Sequence, residues 1–189
     1  MLRSTLALLV LTFAASASAK DFDYSFFQLG YGNVEYDDVN VDGDGFGLAG
    51  SYSINEDFHV FGGYDAAGLD FGIDATSFGA GLGWHTSLSP VVDLVASVSY
   101  QYIELDASGV GSVDDNGLGL GVGLRFAASD LLEIDAAINH VDFSDSDGDT
   151  GFAVGGLYSF TDAFALGLAG NWSDDVSSYT LSGRFYFGE

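Results

Sequence analysis

The chain has 189 residues, of which 48% are hydrophobic, 15% aromatic and only 17% charged. The absence of cysteine excludes a disulfide scaffold or a thiolate metal site, and a net charge of −24 argues against nucleic-acid binding. The many apolar and aromatic residues exclude a disordered acidic chain, and the length allows one domain of ordinary size.

The first nineteen residues have the pattern of a secretory signal peptide. Arg3 supplies a positive start, residues 6–15 form an apolar run, and Ala17-Ser18-Ala19 is a small-residue cleavage pattern. The apolar run is too short for a membrane-spanning helix. We therefore predict a signal peptide over residues 1–19, cleaved after Ala19, and a single mature domain over residues 20–189.

Alternation of large apolar residues with small or polar ones dominates the chain from Gly45 onward, and this period is typical of β-strands with one apolar face. Between Leu118 and Phe126, for example, every second residue is large and apolar. We predict ten such strands, at residues 24–33, 45–53, 58–65, 76–86, 91–104, 117–127, 131–142, 151–160, 163–173 and 178–187. Eight strands are the alternative count, and would require two of these segments to be something else.

The connections between the predicted strands alternate in character. One set is short, at residues 54–57, 87–90, 128–130 and 161–162. The other set is mostly longer and acidic, around residues 34–44, 66–75, 105–116 and 143–150, with a shorter connection at 174–177. This arrangement is typical of an up-and-down antiparallel barrel in the bacterial outer membrane, where the short turns face the periplasm. An even strand count places both termini there too.

Aromatic residues on the large-residue face fall at two heights. Those near the short turns are Tyr52, Phe58, Trp84, Phe126, Phe160, Phe164 and Phe187. Those near the longer connections are Phe46, Tyr64, Phe78, Tyr100, Tyr102, Phe152, Trp172 and Tyr179. Aliphatic residues lie between, as expected for two aromatic girdles around a hydrocarbon band. The sequence therefore predicts an all-β fold, a transmembrane antiparallel up-and-down β-barrel.

The two ends of the domain need separate treatment. Phe26-Phe27 interrupts the alternation of the first strand; we expect Phe27, Leu29 and Tyr31 to face lipid with Gln28 inside, and the opposite phase is the alternative. The last strand ends in aromatic residues up to Phe187, which resembles the signal that the outer-membrane assembly machinery reads. That machinery and periplasmic chaperones are the expected partners during biogenesis.

Two adjacent stretches, Asp42–Ser53 and Asn55–Tyr64, are similar to stretches of small Gram-negative outer-membrane barrel proteins of the OmpA/OmpX type. The group includes proteins described as signal-regulated or quorum-sensing-linked secreted factors. The strand lengths are similar over most of the predicted mature chain. The resemblance implies an outer-membrane barrel and brings no catalytic residues to this chain.

Few charged residues fall on the inward face of the predicted strands. They are Asp93, Arg125, Glu133, Asp135 and Arg184. Hairpin pairing should bring Arg125 and Glu133 roughly opposite each other, with Asp93 on the other flank of Arg125. Such a group either ties the lower lumen together as a structural ion cluster or forms the charged constriction of a pore.

Two acidic turns are candidate Ca²⁺ sites. The first resembles the first half of an EF-hand loop and contains Asp38, Asn40, Asp42 and Asp44. The second contains Asp145, Asp147 and Asp149. Asp-Gly sequences are also ordinary turn formers, so a solvated turn without metal is the alternative. No cofactor is required, and Ca²⁺ is the candidate ion.

Most other inward positions carry glycine, alanine or serine, which leaves room for water in the lumen. We predict a structural barrel or a narrow, cation-favouring, porin-like channel. The alternative is a surface interaction protein whose acidic loops bind Ca²⁺, lipopolysaccharide or another cell. We expect no enzyme, because His140 has Ile138 and Asp142 where a lipid deacylase would need serine. Outer-membrane lipid and lipopolysaccharide are the expected surroundings.

Overall fold

A computed structural model describes residues 22–36, 41–173 and 176–187 as ten strands and one short 3-10 turn. The strands are β1 (Phe26–Tyr36), β2 (Val41–Ser53), β3 (Phe58–Leu69), β4 (Ile73–Ser89), β5 (Val92–Ala107), β6 (Gly111–Ala127), β7 (Leu132–Phe143), β8 (Asp149–Thr161), β9 (Phe164–Trp172) and β10 (Val176–Tyr186). Within these described ranges, no helix is long and apolar enough to cross a membrane.

The ten strands form one closed barrel in which each strand pairs antiparallel with its neighbours in sequence. The first and last strands close the cylinder, with Phe26 opposite Tyr186 and Tyr36 opposite Val176. Closure leaves no unpaired strand edge, which is a requirement in hydrocarbon because lipid offers no hydrogen bonds. The prediction of a ten-stranded up-and-down barrel is confirmed, and the eight-stranded alternative is wrong.

The barrel has two different ends. The turn end carries the connections 54–57, 90–91, 128–131 and 162–163, together with residues 22–25 and Phe187. The loop end carries the connections 70–72, 108–110 and 144–148, together with Tyr36 at the end of β1 and Trp172 at the end of β9.

The connections at the loop end are shorter than the sequence predicts. β3 continues to Leu69 and pairs there with Ile73, and β5 continues to Ala107 and pairs with Gly111. Several acidic residues assigned to loops therefore lie on strands, among them Asp74, Asp106 and Asp114. The ladder of backbone hydrogen bonds persists above the apolar band because pairing depends on the backbone, whereas the sequence prediction followed the side-chain alternation.

The outward face has the predicted layering. At the loop end, Phe78 stacks on Tyr102 with ring centroids 5.0 Å apart, and Phe152 stacks on Trp172 at 4.9 Å. At the turn end, the rings of Phe164 and Phe185 lie 4.9 Å apart. Exposed aliphatic side chains lie between these girdles, including Leu48, Val98, Leu120, Val122, Ile138 and Leu168. A belt of exposed aliphatic residues between aromatic rings suits the hydrocarbon and its two interfaces.

The first strand has the expected phase. Phe27, Leu29 and Tyr31 are exposed on the outward face. Gln28 lies in the lumen, where its side-chain oxygen accepts a hydrogen bond from Arg184. The alternation of β1 is thus continuous through Phe26, whose ring points inward and packs edge-on against Tyr186 at 6.2 Å.

Candidate functional site

Arg125 and Glu133 form a buried ion pair in the lumen near the turn end. The Arg125 Nε donates to Glu133 Oε1 at 2.7 Å, and only 8% of Arg125 and 2% of Glu133 is exposed. The strand register places Asp135, not Glu133, directly opposite Arg125. The arginine therefore reaches diagonally toward the turn end to meet the Glu133 carboxylate. The sequence predicts the two residues roughly opposite each other, and the register sets them two residues apart.

Asp93 also lies opposite Arg125 in the register, on the other neighbouring strand. Its carboxylate accepts hydrogen bonds from Ser87 Oγ at 2.7 Å and from the Tyr24 hydroxyl at 3.0 Å. Burial raises the pKa of the Tyr24 phenol, which keeps the hydroxyl neutral and able to donate. Of the acidic residues predicted beside Arg125, Glu133 thus binds it directly, whereas Asp93 is hydrogen-bonded to hydroxyl groups.

The residues before β1 enter the lumen at this level. The Tyr24 ring stacks on His85 with centroids 3.8 Å apart and on His59 at 4.7 Å. The Arg125 guanidinium lies over the Tyr24 ring at 4.4 Å and over the Phe22 ring at 4.9 Å. The result is a layer of interlocked aromatic and charged groups across the turn end, the closed layer, formed by Phe22, Tyr24, His59, His85, Asp93, Arg125 and Glu133. Sequence reasoning missed the contribution of Phe22 and Tyr24.

A second arginine, Arg184 on β10, also lies in the lumen. Arg184 Nε donates to Gln28 Oε1 at 2.8 Å, and its guanidinium lies 4.0 Å from the centre of the Phe26 ring. Asp135 lines the same part of the lumen, against Gly155. Arg184 and Asp135 thus form the boundary between the closed layer and the open lumen beyond it.

Two cavities occupy the lumen beyond this boundary. The middle cavity has a volume of about 320 Å³ and is lined by Asp65, Asp135, Asn171, Ser182 and Arg184 among others. The outer cavity, toward the loop end, has a volume of about 210 Å³. Gly47, Asp65 and Thr180 line both cavities, so the two adjoin. Small side chains on the inward face create this space in a barrel of a size that is often filled.

Glycines make room for the larger polar side chains of the lumen. A methyl group added at Gly155 would come within 2.8 Å of both Asp135 carboxylate oxygens, and one at Gly79 within 2.5 Å of Gln101 Oε1. Equivalent additions would collide with Asp65 at Gly47 and with the His59 ring at Gly83. Each polar side chain therefore lies flat across a glycine of an adjacent strand, which holds it against the wall.

The candidate Ca²⁺ residues are only partly described. Asp38 and Asn40 lie outside the described residues; Asp42 and Asp44 lie on the exposed face of β2, where Asp44 accepts a hydrogen bond from the Tyr31 hydroxyl. The second turn is organised by Asp115, which accepts hydrogen bonds from Ser146 Oγ at 2.6 Å and from the Asp145 N–H at 3.2 Å. In the described ranges, no three histidine or acidic side chains converge as a metal site would require.

The closed antiparallel cylinder and its layered outward face define the class of protein: a transmembrane β-barrel of the outer-membrane type. Residues 5–160 match the family model described as outer membrane protein beta-barrel domain. The chain belongs to that family, and the family implies the bacterial outer membrane. Among curated proteins, none matches the sequence.

Solved structures of small barrels resemble the fold at low sequence identity. The KdgM porin is 11% identical, with 85% of this chain and 99% of that one covered and a TM-score of 0.47. Ail, the attachment invasion locus protein of Yersinia pestis, is 20% identical, with 87% and 97% covered and a TM-score of 0.42. Neisserial surface protein A is 18% identical, with 86% and 96% covered and a TM-score of 0.42.

Proposed function

We propose that the lumen is a narrow passage that favours small cations, with its turn end in the periplasm and its loop end outside the cell. The observation that carries the proposal is the adjoining pair of cavities, which meet at Asp65 and extend to Asp135. Acidic walls in a confined space of low dielectric attract cations and repel anions.

The arrangement of the two arginines supports a preference for cations. Arg125 is buried in the closed layer and paired with Glu133. Arg184 is held at the wall by Gln28 and by the Phe26 ring. Arg184 lines the middle cavity as well, but there two carboxylates, Asp65 and Asp135, face that one guanidinium. The charge that a solute meets in the cavities is therefore mainly negative.

The proposal assigns no catalysis to the barrel. His59 and His85 are stacked on Tyr24 inside the closed layer, and His140 is exposed and bonded to Thr150 Oγ1 at 2.8 Å. None of these three histidines has a serine placed to act as an activated nucleophile in the described hydrogen bonds.

Ion selectivity in planar bilayers tests the passage. We expect currents through the refolded full-length protein to reverse at a potential that favours K⁺ over Cl⁻ in a KCl gradient. The double variant Asp65→Asn, Asp135→Asn should lower that preference, because it removes both carboxylates from the cavity walls.

Asp162→Asn is the matched control, because Asp162 lies in an exposed turn at the turn end. It should leave the selectivity unchanged. Currents without cation preference, or a preference that the double lumen variant does not alter, would contradict the proposal.

A second candidate function is Ca²⁺-dependent binding at the loop end, to lipopolysaccharide or to another cell. The observation that favours it is the junction at which Asp115 holds the chain at Asp145 and Ser146, close to two further acidic residues, Asp147 and Asp149. Millimolar Ca²⁺ should then raise the melting temperature and slow proteolysis of residues 144–148 more than NaCl of equal ionic strength. Equal effects of the two salts would contradict this function.

A further inference from the structure

The segment Phe22–Ser25 is the one part of the closed layer that does not belong to a strand. Only 4% of Tyr24 is exposed, although the residue precedes the first strand of the barrel. Its ring, its hydroxyl group and the neighbouring backbone all have partners on the wall: His59 and His85 by stacking, Asp93 by a hydrogen bond, and Arg125 through the Asp23 carbonyl at 3.3 Å.

The segment is anchored to the barrel at Ser25. The Ser25 carbonyl accepts a hydrogen bond from the Phe187 N–H at 3.1 Å, and Ser25 Oγ accepts one from the Ser53 N–H at 3.2 Å. Both bonds continue the wall at the junction of the first, second and last strands. Strand pairing begins at Phe26, so a displacement of Phe22–Tyr24 would leave the pairing of the barrel intact.

The closed layer leaves several buried polar atoms without a hydrogen-bond partner among the described residues. They are His59 Nδ1, His85 Nε2 and Arg125 Nη2. A buried polar group without a partner costs free energy that water would recover. Withdrawal of Tyr24 would admit water to this layer. Hydration of these atoms would recover free energy and so offset part of the stabilisation that is lost with the stacking.

We propose that Phe22–Tyr24 is a displaceable plug that closes the turn end of the lumen, with Tyr24 as the residue that seals it. The inference rests on the proposed passage for cations and assigns its gate. In the plugged state, the cavities form a vestibule that is blocked at the closed layer. When Tyr24 leaves its stack, the vestibule connects to the periplasmic side.

Single-channel recording on the refolded mature protein, residues 20–189, tests the plug. Tyr24→Ala removes the ring and the hydroxyl group, and we expect the open probability to rise about tenfold or more over the unsubstituted protein. Tyr24→Phe keeps the stack and loses only the bond to Asp93, so the rise should be smaller. Tyr52→Ala removes a tyrosine near the same end that faces outward, and it should behave like the unsubstituted protein.

Tyr24→Phe retains the buried ring, so it should fold even if Tyr24→Ala does not. The heat-modifiable mobility of folded barrels in gels reports whether each variant has folded. Equal open probabilities for the unsubstituted, Tyr24→Ala and Tyr24→Phe proteins, all folded, would overturn the plug. If Tyr24→Ala opens currents that lack cation preference, the plug stands and the proposed cation passage is wrong. If none of the folded variants conducts, both proposals are wrong.

Discussion

The lumen is built in two ways along its length. Near the turn end, arginine, histidine and aromatic side chains interlock, and Glu133 and Tyr24 are almost wholly buried. Toward the loop end, the inward residues are small and leave two adjoining cavities. The number of strands is the same at both levels. The comparison shows that inward side-chain size, rather than strand count alone, decides whether a ten-stranded barrel is filled or open.

The largest effect is expected when the filled part loses its central cation. Arg125→Met leaves Glu133 and Asp93 buried without the arginine, and we expect unfolding to become easier by about 3–5 kcal/mol. Urea titration of the folded barrel in detergent or lipid measures the loss.

The double variant Arg125→Met, Glu133→Gln separates the pair from general packing. It should recover part of the lost free energy of unfolding, because a neutral amide then replaces the buried carboxylate that would otherwise be unpaired. Strictly additive losses would mean that the two residues do not stabilise the layer as a pair.

An arginine introduced at mid-height on the outward face or on the inward face of the wall distinguishes a lipid environment from an open lumen. Val122 is half exposed on the outward face, whereas Ala153 lines the middle cavity. Val122→Arg should cost about 2–4 kcal/mol if the site is at the bilayer midplane. Ala153→Arg should cost much less, because it enters a polar space beside acidic residues. Equal losses in urea titration would show that the middle of the lumen is not open.

Gly83→Ala tests how tightly the filled part of the lumen is packed. At Gly83 an added methyl group meets the His59 ring, which is itself fixed against Tyr24, so Gly83→Ala should cost about 1–3 kcal/mol. Gly68 lies on the outward face of β3, in phase with Tyr64, and an added methyl group there meets nothing within 4 Å. Gly68→Ala is therefore the control, and thermal unfolding should show it as neutral or slightly stabilising; a loss as large as that of Gly83→Ala would mean that the contact with His59 is not the cause.

The smallest effect on global stability is expected at the loop end. Asp115→Ala removes the acceptor for Ser146 Oγ and the Asp145 N–H, which order the connection 144–148. The free energy of unfolding of the barrel should be almost unchanged, whereas limited proteolysis should cleave the connection 144–148 faster. Asp114→Ala, on the exposed face of the same strand, is the control. A large fall in the free energy of unfolding would show that the loop end contributes more to the stability of the barrel than its open lumen suggests.

The sequence predicts the part of the fold that depends on side-chain alternation. The ten strands, the phase of β1 and the two aromatic girdles follow from residues such as Leu29, Val122 and Phe152, whose environment is set by lipid on one side and the lumen on the other. The extension of β3 to Leu69 and β5 to Ala107 does not follow, because backbone pairing continues where the alternation of large and small residues stops.

The closed layer is only partly predictable from the sequence. The inward charges of Arg125 and Glu133 stand out among small neighbours, so their proximity can be expected even though their register cannot. The role of Tyr24 cannot be predicted, because the alternation makes it the first residue of a strand, whereas β1 begins at Phe26. A weak signal exists nonetheless: Tyr24 and Phe26 are large residues in the inward phase of β1, in a barrel whose inward residues are mostly small.

The bond between Ser25 and Phe187 joins opposite ends of the chain, and this has a consequence for the order of assembly. β1 and β10 are the pair farthest apart in sequence, and the loop closed by their pairing spans nearly the whole domain. Contacts of such long range form late. Ser25, which anchors Phe22–Tyr24, lies at that seam, so the segment gains its full anchor only when the cylinder closes. A chain truncated before β10 should leave Tyr24 open to iodination, whereas the full chain protects it.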